Sequence, residues 1–196
     1  FIPNILMPKI YIFCHGFKGH GNYLWFKTVK PELEKRGLKV LGPNFPNSDD
    51  PRYQPWKNTL VSVLEENYLG NEIYFVTHSM GGYFLLRFLG ETTNEEWVKS
   101  IKGGVLVSAP ATKRPEYKPF YDEDINWEKI RSLPLSLTFI WSKDDSIVKC
   151  EHIELIKKEL SHTPNFKYLE FDGFDHFCIR NSPEILKAVL EFDDLH

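Results

Sequence analysis

Cysteine is scarce in this chain: three residues, Cys14, Cys150 and Cys178, among 196. An odd count without framework spacing excludes a disulfide-stapled scaffold and leads to the expectation of reduced thiols and a cytoplasmic setting. Positive charge is not in excess either. The formal net charge of −3 leaves no basic footprint for nucleic acid. Long apolar runs are missing, and stretches such as Ile73–Val76 are far shorter than the ~20 residues that cross a bilayer. No basic segment followed by an apolar run marks a signal peptide. No internal repeat, low-complexity tract or linker interrupts the chain. What is present is an ordinary globular mixture, 42% hydrophobic and 26% charged, which excludes disorder and coiled coil. Aromatic residues at 15% point to a heavy core or an apolar binding surface. Residues 1–8 read as an N-terminal extension and 9–196 as one domain.

Short apolar runs alternate with helical patterns. Strands are expected at Lys9–Phe13, Lys39–Leu41, Glu72–Val76, Gly104–Val107, Ser136–Trp141 and Phe166–Phe171. They are mostly continuous rather than alternating, as in a parallel sheet buried on both faces. Helices are expected at Leu24–Arg36, Gln54–Tyr68, Met80–Leu89, Glu151–Leu160 and Pro183–Phe192, with a short piece at Trp127–Ile130. Ser182, Pro183 and Glu184 make a strong helix start, and Gly37 a plausible helix stop. The fold class is therefore α/β, a mostly parallel central sheet with helices on both faces. The segment Ala109–Tyr121 breaks the alternation, and Phe120, Tyr121 and Trp127 are available there to line a pocket.

Ligands of an open parallel sheet bind beyond the carboxyl ends of its strands. Cys14-His15-Gly16-Phe17 follows the first strand and Thr77-His78-Ser79-Met80-Gly81-Gly82 the third. Ser142-Lys143-Asp144-Asp145 follows the fifth and Asp172-Gly173-Phe174-Asp175-His176 the sixth. Nucleophile, acid and base candidates thus stand at three strand ends in the order Ser, Asp, His. Ser79 sits between an apolar strand and an apolar helix, where a sharp turn would project its hydroxyl and the Met80 N–H would face a developing oxyanion. The competing use of Ser79 is as a plain helix N-cap.

His78-Ser79-Met80-Gly81-Gly82 resembles the nucleophile elbow of the α/β-hydrolases, and His15-Gly16-Phe17 resembles their oxyanion loop. More narrowly, the chain is similar to the small lidless serine hydrolases grouped with retinoblastoma-binding protein nine. The features that carry this are Trp25, Pro31–Lys35, Pro43-Asn44-Phe45-Pro46-Asn47, Trp56, Trp127–Ile130 and Ser142–Asp145. Thr77 departs from the pattern, since that family usually has glycine two residues before the serine. The resemblance implies an α/β-hydrolase fold without a full cap domain, no cofactor and no metal. It places the acid after the fifth strand, where Asp145 has the family spacing to Val148 and Asp144 competes as a turn residue or cap. His176 becomes the base, and the Phe17 and Met80 N–H groups the oxyanion donors.

The expected activity is hydrolysis of small or medium acyl esters through an acyl-enzyme on Ser79, with Trp25, Phe120 and Trp127 as pocket walls. The alternative is a catalytically weak protein-binding module on the same fold. No Leu-x-Cys-x-Glu motif supports a pocket-protein partner. The loop Gly16-x-x-Gly19-x-Gly21 reverses the dinucleotide fingerprint, and the spacings of Cys14, His15, His20, His176 and Cys178 match no closed zinc pattern. His78, beside Ser79, is expected to diverge from it.

Overall fold

A computed structural model describes residues 7–194. Residues 1–6 of the expected extension lie outside the described residues. The chain runs β1 (Lys9–Cys14), α1 (Phe26–Lys35), β2 (Lys39–Leu41), α2 (Tyr53–Asn67), β3 (Glu72–His78) and α3 (Met80–Gly90). It continues through β4 (Ile101–Val107), α4 (Trp127–Ser132), β5 (Ser136–Ser142), α5 (Cys150–Leu160), β6 (Phe166–Phe171) and α6 (Pro183–Leu190). All six strands pair in parallel in the order β2-β1-β3-β4-β5-β6.

Alternation along the strands sorts side chains into two cores. Ile10 and Ile12 of β1 with Ile73 and Phe75 of β3 face α2, α3 and α5, whereas Tyr11, Phe13, Tyr74 and Val76 face α1 and α6. Both faces of the central strands β1, β3, β4 and β5 are covered, which is why they read as nearly continuous apolar runs. The edge strands β2 and β6 keep exposed positions such as Lys39, Lys167 and Glu170. Ser182 caps α6 as expected, accepting from the Ile185 N–H at 3.2 Å. Gly37 follows α1 with φ +77°, a conformation that glycine adopts without Cβ crowding. The order of the sheet reverses direction between β1 and β3, and a ligand crevice is expected over that junction. No helix of the described residues is long and apolar enough to cross a membrane.

β4 begins three residues earlier than the expected strand. Gly103 and Gly104 obscure it in sequence, yet both lie in the sheet, where a Cβ on Gly103 would stand 1.9 Å from the Ser136 carbonyl oxygen. The long segment after β4 contains a short 3-10 turn, Pro115–Tyr117, that folds it back over the carboxyl edge of the sheet.

Candidate functional site

The turn from β3 into α3 is tight. Ser79 has φ 53° and ψ −122°, a region that costs a β-carbon residue about 1–3 kcal/mol and persists only where surroundings enforce it. The Ser79 N–H is held by the Val107 carbonyl at 2.9 Å, and α3 starts at once with Met80. Ser79 makes no side-chain cap, so its hydroxyl is free for the cleft. Gly81 is required by close approach, since a Cβ there would lie 2.2 Å from the Cys14 carbonyl oxygen. Thr77 is fully buried, and its hydroxyl finds no partner among the described residues. Its extra bulk fits because Gly82 has none: a Cβ on Gly82 would stand 3.2 Å from Thr77 Oγ1 and 2.4 Å from Ala109 Cβ.

Ser79 Oγ lies 2.8 Å from His176 Nε2, and His176 Nδ1 lies 3.0 Å from each oxygen of the Asp145 carboxylate. A carboxylate only accepts, so Nδ1 carries the proton and Nε2 is left to accept from Ser79. Asp145 Oδ1 also accepts from the N–H groups of Ile147 at 2.9 Å and Val148 at 2.8 Å. Burial alone would raise the Asp145 carboxyl, but the His176 contact and these two N–H groups outweigh it and hold it below the usual carboxylate range. Asp144 has a different task. Its Oδ1 accepts from Gly173 N–H at 3.0 Å and Asp175 N–H at 3.2 Å, bracing the loop that carries His176. That loop is further pinned by Phe177, fully buried and stacked on Phe174 with ring centroids 5.1 Å apart.

A second hydrogen-bonded chain runs behind the first. Gly16 N–H donates to the Tyr23 hydroxyl at 2.8 Å, the hydroxyl donates to His78 Nδ1 at 2.5 Å, and His78 Nε2–H donates to the His176 carbonyl at 2.8 Å. The direction follows because the His176 carbonyl and the Gly16 amide each have one possible role. Burial, then the neighbouring His176, pushes His78 down to about 3, so it stays neutral. His15 is likewise neutral, pushed down by burial to about 4, donating from Nδ1 to the Gly16 carbonyl and accepting from Phe45 N–H at Nε2. His78 does diverge from Ser79 as expected. It also fixes the backbone on which the His176 ring is mounted, a role that sequence gave no sign of.

These groups open onto a cleft of about 170 Å³. Gly16, Phe17, Ser79, Met80 and His176 line it, and neither the Phe17 nor the Met80 N–H is taken by another protein group among the described residues. Tyr23, Leu24 and Cys178 form another part of the wall, with Arg114, Tyr117 and Tyr121 from the β4–α4 segment and Ile147 at the rim. The expected walls need correction. Trp25 is 0% exposed and packs in the α1/α6 core, edge-on to Phe26 at 4.7 Å. Phe120 is 0% exposed in the opposite core against Trp56. Trp127 packs against that same core at the start of α4 and does not reach the cleft. Their tyrosine neighbours, Tyr23 and Tyr121, line it instead.

Residues 11–164 match the family model described as serine hydrolase, and the chain belongs to that family. It is 30% identical over 179 residues to the YdeN protein of Bacillus subtilis strain 168, covering 86% of this chain and 90% of that one. The crystal structure of the B. subtilis ydeN gene product superposes with a TM-score of 0.78 at 23% identity, over 95% of this chain and 99% of the other. A monoacylglycerol lipase of Paleococcus ferrophilus gives 0.72 at 15% identity over 93% of each chain. The esterase RhEst1 of a Rhodococcus species gives 0.72 at 14% identity, over 96% of this chain and 91% of its own. At these identities the structural likenesses speak for the fold, which is that of an α/β-hydrolase.

Proposed function

We propose that the chain is a carboxylic ester hydrolase acting by acyl transfer to Ser79. The observation that carries this is the unbroken run from the Asp145 carboxylate through His176 to Ser79 Oγ, ending in an open cleft. His176 Nε2 takes the Ser79 proton as Oγ attacks the carbonyl carbon, and the Asp145 carboxylate stabilises the imidazolium. The tetrahedral oxygen turns towards the unengaged N–H groups of Phe17 and Met80, the latter reinforced by the positive end of α3. His176 then passes its proton to the leaving alcohol. Water, activated by the same imidazole, hydrolyses the acyl-enzyme and restores Ser79, with no cofactor in the cycle.

A cleft of about 170 Å³ and a β4–α4 connection without a separate cap suit small or medium acyl groups. The order of the Trp25, Pro43–Asn47 and Trp127 motifs supports placing the chain near the retinoblastoma-binding protein nine group. Its free thiols suit a reducing, cytoplasmic compartment. The test is labelling by a neutral fluorophosphonate. Wild type is expected to label, and Ser79→Ala and His176→Ala to lose labelling while keeping the wild-type melting profile. A folded wild-type chain that fails to label would return the protein to the binding-module reading.

A further inference from the structure

Arg114 is the one formally charged arginine, lysine or carboxylate side chain among the residues that line the cleft. Its side chain is 17% exposed, and it is held on three sides. Nε donates to Glu116 Oε1 at 3.0 Å. The guanidinium carbon stands 5.1 Å from the Tyr117 ring centroid and 5.9 Å from that of Tyr121. Tyr117 in turn packs on Phe17 with centroids 5.6 Å apart, so Arg114 is one aromatic ring away from the loop beside Ser79. Its Nη1 and Nη2 groups donate to nothing among the described residues.

That arrangement is a preorganised receptor for an anion. Two tyrosine rings flank the guanidinium, and the Nε edge is satisfied by Glu116. The remaining Nη pair keeps the spacing that engages a carboxylate through two parallel N–H bonds. Glu116 lies outside the cleft with a 55% exposed side chain, so solvent screens its charge and leaves the cleft side of Arg114 electropositive. The walls around it are Phe17, Tyr117, Tyr121 and Ile147, which offer no competing carboxylate.

We propose that the cleft selects acyl substrates that carry a carboxylate at the end remote from the scissile ester, held by Nη1 and Nη2 of Arg114. The inference rests on the hydrolase reading of Ser79 for its chemistry but not for its binding. A charge-assisted pair in a partly desolvated cleft corresponds to about tenfold or more in specificity. The p-nitrophenyl monoester of adipic acid, corrected for spontaneous hydrolysis, is compared with p-nitrophenyl hexanoate. Wild type is expected to favour the adipate by at least about tenfold in kcat/KM, Arg114→Gln to reduce that ratio at least fivefold, and Arg114→Lys to fall between. A wild type that hydrolyses hexanoate but shows no adipate preference, or a ratio unmoved in Arg114→Gln, overturns the proposal and leaves the hydrolase reading standing. If neither ester is hydrolysed and no fluorophosphonate label appears, the hydrolase reading fails. Calorimetric binding of the adipate monoester to Ser79→Ala then decides Arg114 by itself. A Kd at least fivefold weaker in Ser79→Ala/Arg114→Gln supports the carboxylate site, and an equal Kd overturns it.

Discussion

Replacing Asp145 by asparagine exchanges one acceptor for a donor and leaves the side-chain shape almost unchanged. The outcome follows from which oxygen is more strongly committed. Oδ1 accepts from Ile147 N–H at 2.9 Å and Val148 N–H at 2.8 Å and also stands 3.0 Å from His176 Nδ1, whereas Oδ2 has only His176 Nδ1, at the same 3.0 Å. The amide oxygen of asparagine takes the Oδ1 position, because an NH2 there would oppose two backbone donors. That sets the NH2 against His176 Nδ1, drives the imidazole proton to Nε2 and points it at Ser79 Oγ, 2.8 Å away. The base is then in the wrong tautomer. Restoring it either opposes that NH2 with the Nδ1 proton or requires flipping the amide and losing two buried hydrogen bonds, each group left unpaired or opposed costing about 1–3 kcal/mol. The sum, about 2–6 kcal/mol, is roughly 30-fold to 10⁴-fold in kcat. The upper end matches the ~10⁴ fall known for this exchange in serine proteases. Asp144→Asn is the control. Its Oδ1 accepts from Gly173, Asp175 and Ser142, all of which an amide oxygen retains, so kcat is expected within about threefold of wild type. Steady-state hydrolysis of a neutral p-nitrophenyl ester, with thermal melts to exclude unfolding, measures both. An Asp145→Asn enzyme within tenfold of wild type, or a larger loss in Asp144→Asn, would refute the tautomer argument.

Two more outcomes are expected. Tyr23→Phe removes the hydroxyl that accepts from Gly16 N–H and donates to His78 Nδ1, leaving two groups of the site unpaired at about 1–3 kcal/mol each. It should lower both the melting temperature and kcat, with KM for a neutral ester little changed. A loss of stability without loss of kcat would show that this chain does not position the site. Stability should also depend on pH from about 6.5 down to about 4 through His15 and about 3 through His78. His15 and His78 are held neutral in the fold, pushed down to about 4 and about 3 from an ordinary 6.5. In that window the unfolded chain binds protons that the folded chain does not. The stabilisation is therefore complete above 6.5 and is lost as pH falls, with a slope approaching ~1.4 kcal/mol per pH unit for each histidine. Urea midpoints across the range check this, and a midpoint independent of pH would contradict the buried neutral assignment.

The alternation of strands and helices was legible because burial on both faces writes itself into sequence as short apolar runs. β2 and β6 fall where they were expected, and β1 gains only Cys14. The misplaced start of β4 has a physical cause. Gly103 and Gly104 have poor strand propensity, but the neighbouring strands approach closely: a Cβ would stand 1.9 Å from the Ser136 carbonyl oxygen of β5 at Gly103 and 2.6 Å from the Phe75 carbonyl oxygen of β3 at Gly104. The four loops at strand ends were legible for a related reason. A parallel sheet places the end of every strand on one edge, so residues far apart in sequence converge without any knowledge of side-chain packing. Asp145 and Asp144 divided their work along the lines that opposed side-chain directions suggested, one towards His176 and one into the bracing of its loop.

The cleft walls were not legible, and the reason is general to irregular segments. A helix or strand has a period that says which residues share a face; the loops around Tyr23 and Tyr121 have none. Size and apolarity favoured Trp25 and Phe120, yet those same properties send a side chain into the core. Phe120, with no polar atom, lies wholly in the apolar layer beside Trp56. Tyr23, one end apolar and the other a hydroxyl, reaches both the cleft and the His78 ring. Where adjacent aromatics compete at a wet boundary, the polar-tipped one has a reason to face it. The same reasoning applies to Arg114, whose methylene stem and flat cation suit a wall built of tyrosine faces. A sequence reading that ranked loop residues by their capacity to serve both environments, rather than by hydrophobicity, would have placed Tyr23, Tyr121 and Arg114 ahead of Trp25, Phe120 and Trp127.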